Sequence, residues 1–364
     1  MKAKSPSAES RQEPRNSIAL GPRHPFPAWG AVLGVALVAE LVWFSLANGN
    51  FFGGGAGMLS QIESFLPTGI LALGVGLVIL TGNIDLSAGA VASLSSVVVG
   101  TALATGMNMY VAILIAVAVG ALVGLLNGLI VTLLGIDSLL VTLAMQFIAS
   151  SVAVSLAGSN PPEGFSAAFV NLGEGSVGPI PIILIIFIVL SGVAAMLVGR
   201  TGFGRRAVLI GYNPAASRYS AIVVKRTLIG IFTLSGVFAG IGGVVLAAYF
   251  NAGRSDVGID LLLPAITCVV LGGVDIFGGK GRIGEVVVAV FLLGYLTQGM
   301  LDSGFSSLAA TMVTGLLLIV ALVVKITFER AAGESFLGAL QRRIRHRIPI
   351  PGAKNNKGRG EEPI

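Results

Sequence analysis

Apolar runs long enough to cross a lipid bilayer recur along this chain, and no other feature constrains its fold as strongly. About 17 to 25 apolar residues of helix span the hydrocarbon core. Ten runs approach that length: Ala28 to Ala47, Leu59 to Leu80, Leu86 to Gly106, Tyr110 to Leu134, Ser138 to Ala157, Ile180 to Gly199, Thr227 to Phe250, Leu261 to Val274, Ile283 to Leu301 and Leu308 to Val324. Inside lipid every backbone polar group needs an internal partner, so only helices and closed barrels span. Aromatic residues make up 7% of the chain while glycines number 51, which favours helices packed through small residues over a barrel girdled by aromatics. The sequence therefore predicts an all-α, polytopic helical membrane protein with about ten transmembrane helices. Leu86 to Gly106 starts in a polar motif and Leu261 to Val274 is short, so each is read as either continuous or broken.

The positions of Lys and Arg orient the spans. With the N-terminus inside, Lys2, Lys4, Arg11, Arg15 and Arg23 precede the first span and Arg200, Arg205, Arg206, Arg218, Lys225 and Arg226 follow the sixth. Lys280 and Arg282 precede the ninth, the last nine follow the tenth, and Arg254 alone falls outside. Both termini are then cytoplasmic. The bias also accounts for the net charge of +6, since basic residues at the bilayer surface face anionic lipid, and no nucleic-acid partner is expected. Residues 1–27 read as a disordered cytoplasmic tail, 28–325 as the transmembrane domain and 326–364 as a basic cytoplasmic tail. A signal peptide has a shorter lead and a shorter apolar core, so Ala28 to Ala47 is read as a retained helix. The one cysteine, Cys268, lies in an apolar run and reads as a small buried residue.

Two loops are long enough to carry function. The outer one, Gly158 to Pro179, is rich in Gly, Pro and Ser, and reads either as a cap over an external opening or as a connector. In the inner one, Arg200 to Arg226, Asn213 suits a helix N-cap and Pro214 the first helical position, with AASRYSAIVV continuing as a short helix. That helix either rests on lipid headgroups or docks a cytoplasmic partner.

The chain has no GxxxxGK[ST] phosphate loop, no HExxH, no CxxC and no GxSxG, and its two histidines lie in the tails. Neither an enzyme nor a metal site is expected. The spans also lack the chains of buried ionisable residues that proton-coupled carriers use as relays. Glu40, about 18 Å from the inner end of the first span at 1.5 Å per residue, is the clearest mid-span charge. It reads as hydrated or hydrogen-bonded, with a coupling role as the alternative. Asp85, in TGNIDLSAGA, falls at the inner end of the second span, where a carboxylate reaches water and caps the following helix. A gating or partner-contact role is its alternative.

These residues carry a resemblance. TGNIDLSAGAVASLSS, with Asn83, Asp85, Ser87 and Gly89, resembles the GGIDLSVG signature of permease subunits of monosaccharide ABC importers of the ribose type. Three further blocks agree in order: GLLNGLIVTLLGIDSLLVTLAM resembles the family's NG-L stretch leading to FIVTLGM, GYNPAASRYSAI its NPEAAR loop, and VVLGGVDIFGGKGRIG its VVLGGTSLFGGRG block. The chain departs from the pattern at Asn83 for Gly, Ala215 for Glu, Ser138-Leu139 for Pro-Phe and Val274-Asp275 for Thr-Ser.

The resemblance implies a permease domain over residues 28–325 that moves a sugar across the bacterial inner membrane without bond chemistry of its own. It implies two cytoplasmic ABC ATPase subunits that bind the ATP, an external solute-binding protein and a second permease copy, identical or related, with no cofactor on this chain. Asn213, Pro214, Ala215, Ala216, Ser217 and Arg218 then form the ATPase-coupling loop, moving as a rigid element from Asn213 to Val224. Asn127, Gln146 and Gln298 are candidate polar residues of the path, with Phe147 and Tyr295 to stack on a sugar ring; interhelical hydrogen bonding or packing is their alternative. A branched-chain amino acid permease and a stand-alone secondary transporter or channel are the competing readings, and the GNIDLS block favours the sugar class.

Overall fold

A computed structural model describes residues 29–47, 57–220, 222–320 and 323; the tails expected at residues 1–27 and 326–364 lie outside them. Each expected span corresponds to a helix. They begin with α1 (Trp29–Ala47), α2 (Gly57–Ile79), α3 (Ala88–Ala104) and α4 (Met109–Leu129), which runs on as a π-helix, Ile130–Leu134. α5 (Ser138–Ala157) and a short α6 (Ala167–Glu174) precede a two-stranded antiparallel hairpin, β1 (Ser176–Val177) and β2 (Ile180–Pro181), and α7 (Ile182–Arg200). α8 (Gly202–Tyr212), α9 (Pro214–Tyr219) and α10 (Val224–Tyr249) follow, then α11 (Leu262–Leu271), α12 (Ile283–Asp302) and α13 (Ser307–Val320). Among the described residues seven helices, α1, α2, α4, α5, α7, α10 and α12, are long and apolar enough to cross a membrane, while α3, α11 and α13 are shorter.

The core forms where α2, α3, α4 and α10 meet, and small residues set how closely they approach. Gly120, Gly124 and Gly128 recur every fourth residue along α4, one face of a helix. A Cβ on Gly124 would collide with the backbone oxygen of Phe232, and one on Gly236 of α10 with that of Gly120. The two helices are therefore in backbone contact, the close-packing mode that small residues permit in a membrane. α3 is held as tightly, with Gly243 of α10 against the backbone of Ala92.

The outer loop is more than a connector. α6 inserts Phe169, fully buried, into a cluster with Ala116 of α4 and Ala247 of α10. The preceding stretch is tied to the end of α10: Gly253 N–H donates to Pro162 O at 2.8 Å, and Phe165 N–H to the side chain of Asn251 at 2.8 Å. Asn251 adopts a left-handed φ of 49°, a conformation Asn tolerates better than most residues. The loop thus caps the ends of α4 and α10.

Candidate functional site

Two groups of residues stand out, one at the basic end of the bundle and one inside it. At the basic end, the Thr201 hydroxyl caps α8 by accepting from Gly204 N–H at 3.1 Å. Asn213 then caps α9, its Oδ1 accepting from Ala216 N–H at 2.9 Å, with Pro214 in the first turn. The Ser217 hydroxyl, buried, donates to Leu209 O at 2.9 Å and locks α9 against α8. Pro214, Ala215, Ala216 and Arg218 are exposed. The helix is shorter than expected: it is six residues long, ends at Tyr219, and Val224 already belongs to α10. The Ser220 hydroxyl donates to Ala216 O at 2.9 Å and closes the last turn, so the capped helix runs from Asn213 to Tyr219 and does not reach Val224.

The VDIFGGKG block folds onto the same end. Asp275 N–H donates to Lys280 O at 2.9 Å, and Gly279 N–H donates to Leu80 O at 2.9 Å, so a tight turn is fixed to the inner end of α2. Gly278 and Gly279 have φ of 87° and 79°, which glycine alone adopts freely. Gly211, at the end of α8, is so close to Leu80 and Gly279 that a Cβ there would collide with both backbones. α8, this turn and the end of α2 make one backbone-to-backbone platform, to which the Ser217 hydroxyl ties α9.

The second group corrects an expectation. Asp85 is 2% exposed and does not reach water. After α2 the chain re-enters the bundle as a non-helical stretch, and α3 starts only at Ala88. The buried carboxylate is met by donors: Ser87 N–H at 3.0 Å and the Ser87 hydroxyl at 2.6 Å on Oδ1, and the Ser235 hydroxyl of α10 at 2.7 Å on Oδ2. Asn127 of α4 donates to Ser87 Oγ at 2.8 Å. Ser235 lies eleven residues into α10, about 16 Å along it at 1.5 Å per residue. The backbone on either side is held by α5, with Ile84 N–H on Ser138 Oγ at 3.2 Å and Leu86 N–H on Thr142 Oγ1 at 3.1 Å. Asn83 stays local, donating to Thr81 Oγ1 at 2.9 Å. Gly89 lets the stretch before α11 lie directly on α3, since a Cβ there would meet Gly258 O at 2.6 Å.

The expected path residues fall in three places. Asn127 belongs to the buried Asp85 group, with its Oδ1 left without a partner among the described residues. Gln146 and Phe147 sit on α5, half-buried and exposed respectively. Tyr295 packs edge-on to Phe65 at 5.2 Å, and Gln298 joins Ser64 at 3.3 Å and Asp302 at 3.3 Å near the outer ends of α2 and α12. Glu40 departs from its expectation at one oxygen: its Oε1 is buried without a partner among the described residues. Thr142 and Ser235 were not singled out by the sequence, and Ser138 only as a departure from the family's Pro-Phe, although a hydroxyl on an apolar helix is a signal that something nearby needs a bond.

A family model described as "Branched-chain amino acid transport system / permease component" matches residues 57–322. Similar relatives include the autoinducer 2 import system permease protein LsrD of Yersinia enterocolitica, 36% identical over 301 residues that cover 81% of this chain and 91% of the relative. The proteins of the same name from Yersinia pestis and Yersinia pseudotuberculosis are 36% and 35% identical, covering 81% of this chain and 90% of each relative. No solved structure matches.

Proposed function

The chain belongs to the branched-chain amino acid transport system / permease component family, and on that premise we propose that it is the membrane-spanning subunit of an ATP-binding-cassette importer for a small sugar-like solute. It is a multi-pass protein of the bacterial inner membrane. Separate cytoplasmic ATPase subunits hydrolyse the ATP, an external binding protein delivers the solute, and a second permease copy completes the pathway. The observation that carries this reading is α9, a capped helix locked to α8 by the Ser217 hydroxyl, with the other five of its six residues, Pro214, Ala215, Ala216, Arg218 and Tyr219, exposed, while α8 in turn meets the end of α2 at Gly211. ATP-driven closure of the ATPase pair pulls Asn213 to Tyr219; the backbone contacts at Gly211 pass the movement to α2; and the populations of inward- and outward-open states shift. The family description names branched-chain amino acids, whereas the relatives are named for autoinducer 2 import and the GNIDLS block resembles the sugar class. The second pair of observations favours the sugar-like solute.

Coupling is tested at Ser217. Pro there removes the bond from Ser217 N–H to Asn213 O (3.0 Å) and the hydroxyl bond to Leu209, and a Pro inside a helix costs about 3 kcal/mol. Asn213→Ala removes only the cap, about 1 kcal/mol. In proteoliposomes holding the whole complex, Ser217→Pro is expected to abolish ATP-driven uptake and Asn213→Ala to reduce it, with both proteins still inserted. Full uptake and full ATPase retention by Ser217→Pro would overturn the reading. Uptake of ribose or autoinducer 2 against leucine by the wild-type complex separates the two solute classes.

A further inference from the structure

The turn after α11 carries a side chain that the bundle does not use. Phe277 is 87% exposed, although the backbone that bears it is fixed: Phe277 N–H donates to Asp275 Oδ1 at 3.0 Å, Gly278 N–H to Asp275 O at 2.9 Å and Gly279 N–H to Leu80 O at 2.9 Å. An aromatic ring held out on a rigid turn loses little entropy when it is covered, which is the property of an interface anchor.

Its position says what covers it. The turn sits under the inner end of α2, whose apolar window is 83% buried, the most of any span, whereas α1 and α7 at the perimeter are 11% and 17% buried. Lipid headgroups surround the perimeter, so a ring beneath the central helix faces the aqueous cytoplasm. The same turn touches Tyr212, since a Cβ on Gly279 would meet Tyr212 Cα at 2.6 Å, and Tyr212 lies two residues before α9. Lys280 and Arg282, which follow it closely in sequence, and Arg218 of α9 are exposed. A partner that fits this surface has an apolar pocket with an acidic rim and contacts α9 at the same time.

We propose that Phe277 is a second anchor for the ATPase subunit, seated in an apolar pocket of that subunit beside the α9 contact and moving with α9 because both rest on one backbone platform. The inference rests on the reading of this chain as an ATP-driven permease. It adds a contact in a different part of the sequence, through which ATPase movement reaches the end of α2 directly.

Photo-crosslinking from position 277 tests it. The complex of permease and ATPase subunits is prepared with p-benzoylphenylalanine in place of Phe277 and irradiated in membranes. An adduct with the ATPase subunit is expected; adducts only with lipid, or none, would overturn the proposal. Phe277→Ala should lower ATPase retention and coupled uptake by about tenfold or more, and Phe277→Trp should restore them. Thermal stability of the detergent-solubilised permease should not move, because the side chain is exposed. Unchanged retention in Phe277→Ala alongside its loss in Ser217→Pro sinks the second anchor and leaves the α9 reading intact. Full activity in Ser217→Pro sinks the α9 reading, whatever Phe277 does.

Discussion

α1 and the Gln61–Ile79 span of α2 are each 19 residues long and have nearly the same mean hydropathy, 2.0 and 1.9, yet 11% of the apolar window of the first and 83% of that of the second is buried inside the bundle. α7 and α10 sharpen the contrast, because the more apolar α7, at 3.0 against 2.1, is the less buried, 17% against 61%. Hydropathy moves a helix out of water, but lipid tails are as apolar as Leu and give it no reason to sit between other helices. What draws α2 and α10 inward is small residues that admit close neighbours and hydroxyls that partner buried polar groups. α10 carries Ser235, Gly236, Gly240, Gly242 and Gly243, each against another element. On α7, Gly192 and Gly199 face open space.

The largest expected effect breaks this contrast at a glycine. Gly236→Leu drives a side chain into the backbone of Gly120, beyond the roughly 1–3 kcal/mol of ordinary overpacking, because no side chain there can move aside. The permease should be lost from the monodisperse peak in detergent size-exclusion. Gly192→Leu meets nothing within 4 Å and should elute like the parent. Equal behaviour of the two variants would mean that close approach does not decide which helices form the core.

A smaller effect separates buried from exposed polar groups. Asp85→Ala strands the Ser87 and Ser235 hydroxyls and the Ser87 N–H inside the bundle, and each buried donor left unmade costs about 1–3 kcal/mol. Asp302 also accepts from two side chains, Gln61 at 2.7 Å and Gln298 at 3.3 Å, but in the open. Asp302→Ala should stay within about 0.5 kcal/mol, as substitutions at the surface do. Thermal unfolding of the purified variants measures both. A loss of stability in Asp302→Ala as large as in Asp85→Ala would remove the distinction.

The ten apolar helices and their order were legible because every run of apolar residues is local information, whereas α6 and α8, which lie in stretches read as loop, were not. The cap at Asn213 was legible for the same reason: the bond from Ala216 N–H spans three residues. Asp85 was misplaced because its depth depends on where the chain goes after α2, and the groups that make burial tolerable are distant in sequence: Ser235, which donates to the carboxylate, lies 150 residues on, and Thr142, which accepts from the neighbouring Leu86 N–H, lies 57 on. The block VVLGGVDIFGGKG could be matched by its glycines, but nothing local says that those glycines lock onto Leu80 and hold Phe277 clear of the bundle. The outer loop gave no sign that Phe169 would be fully buried, since a single pair of aromatics, Phe165 and Phe169, in a Gly-rich stretch is too short a pattern to read as a buried face.

The smallest effect lies at the outer end, where Arg254 donates to Asp256 from Nε at 3.1 Å and from a terminal nitrogen at 2.6 Å. The hydrogen bond from Arg254 holds the Asp256 carboxyl below its ordinary value of 3.8. A carboxylate with a depressed folded value contributes stability that is complete above 3.8 and is lost as pH falls through the lower value, so the pair adds the same amount at pH 7 as at pH 5 and fades only below about pH 4. Both side chains are well exposed, 44% and 65%, and solvent screening limits such a pair to about 0.2–1 kcal/mol. Asp256→Asn should therefore lower stability by no more than that at pH 7, less still at high salt, and the difference from the parent should close on acidification. A deficit that persisted unchanged below the carboxylate range would show that Asp256 acts through its shape and the surrounding turn, and that charge at the outer end contributes as little as on the lipid-facing helices.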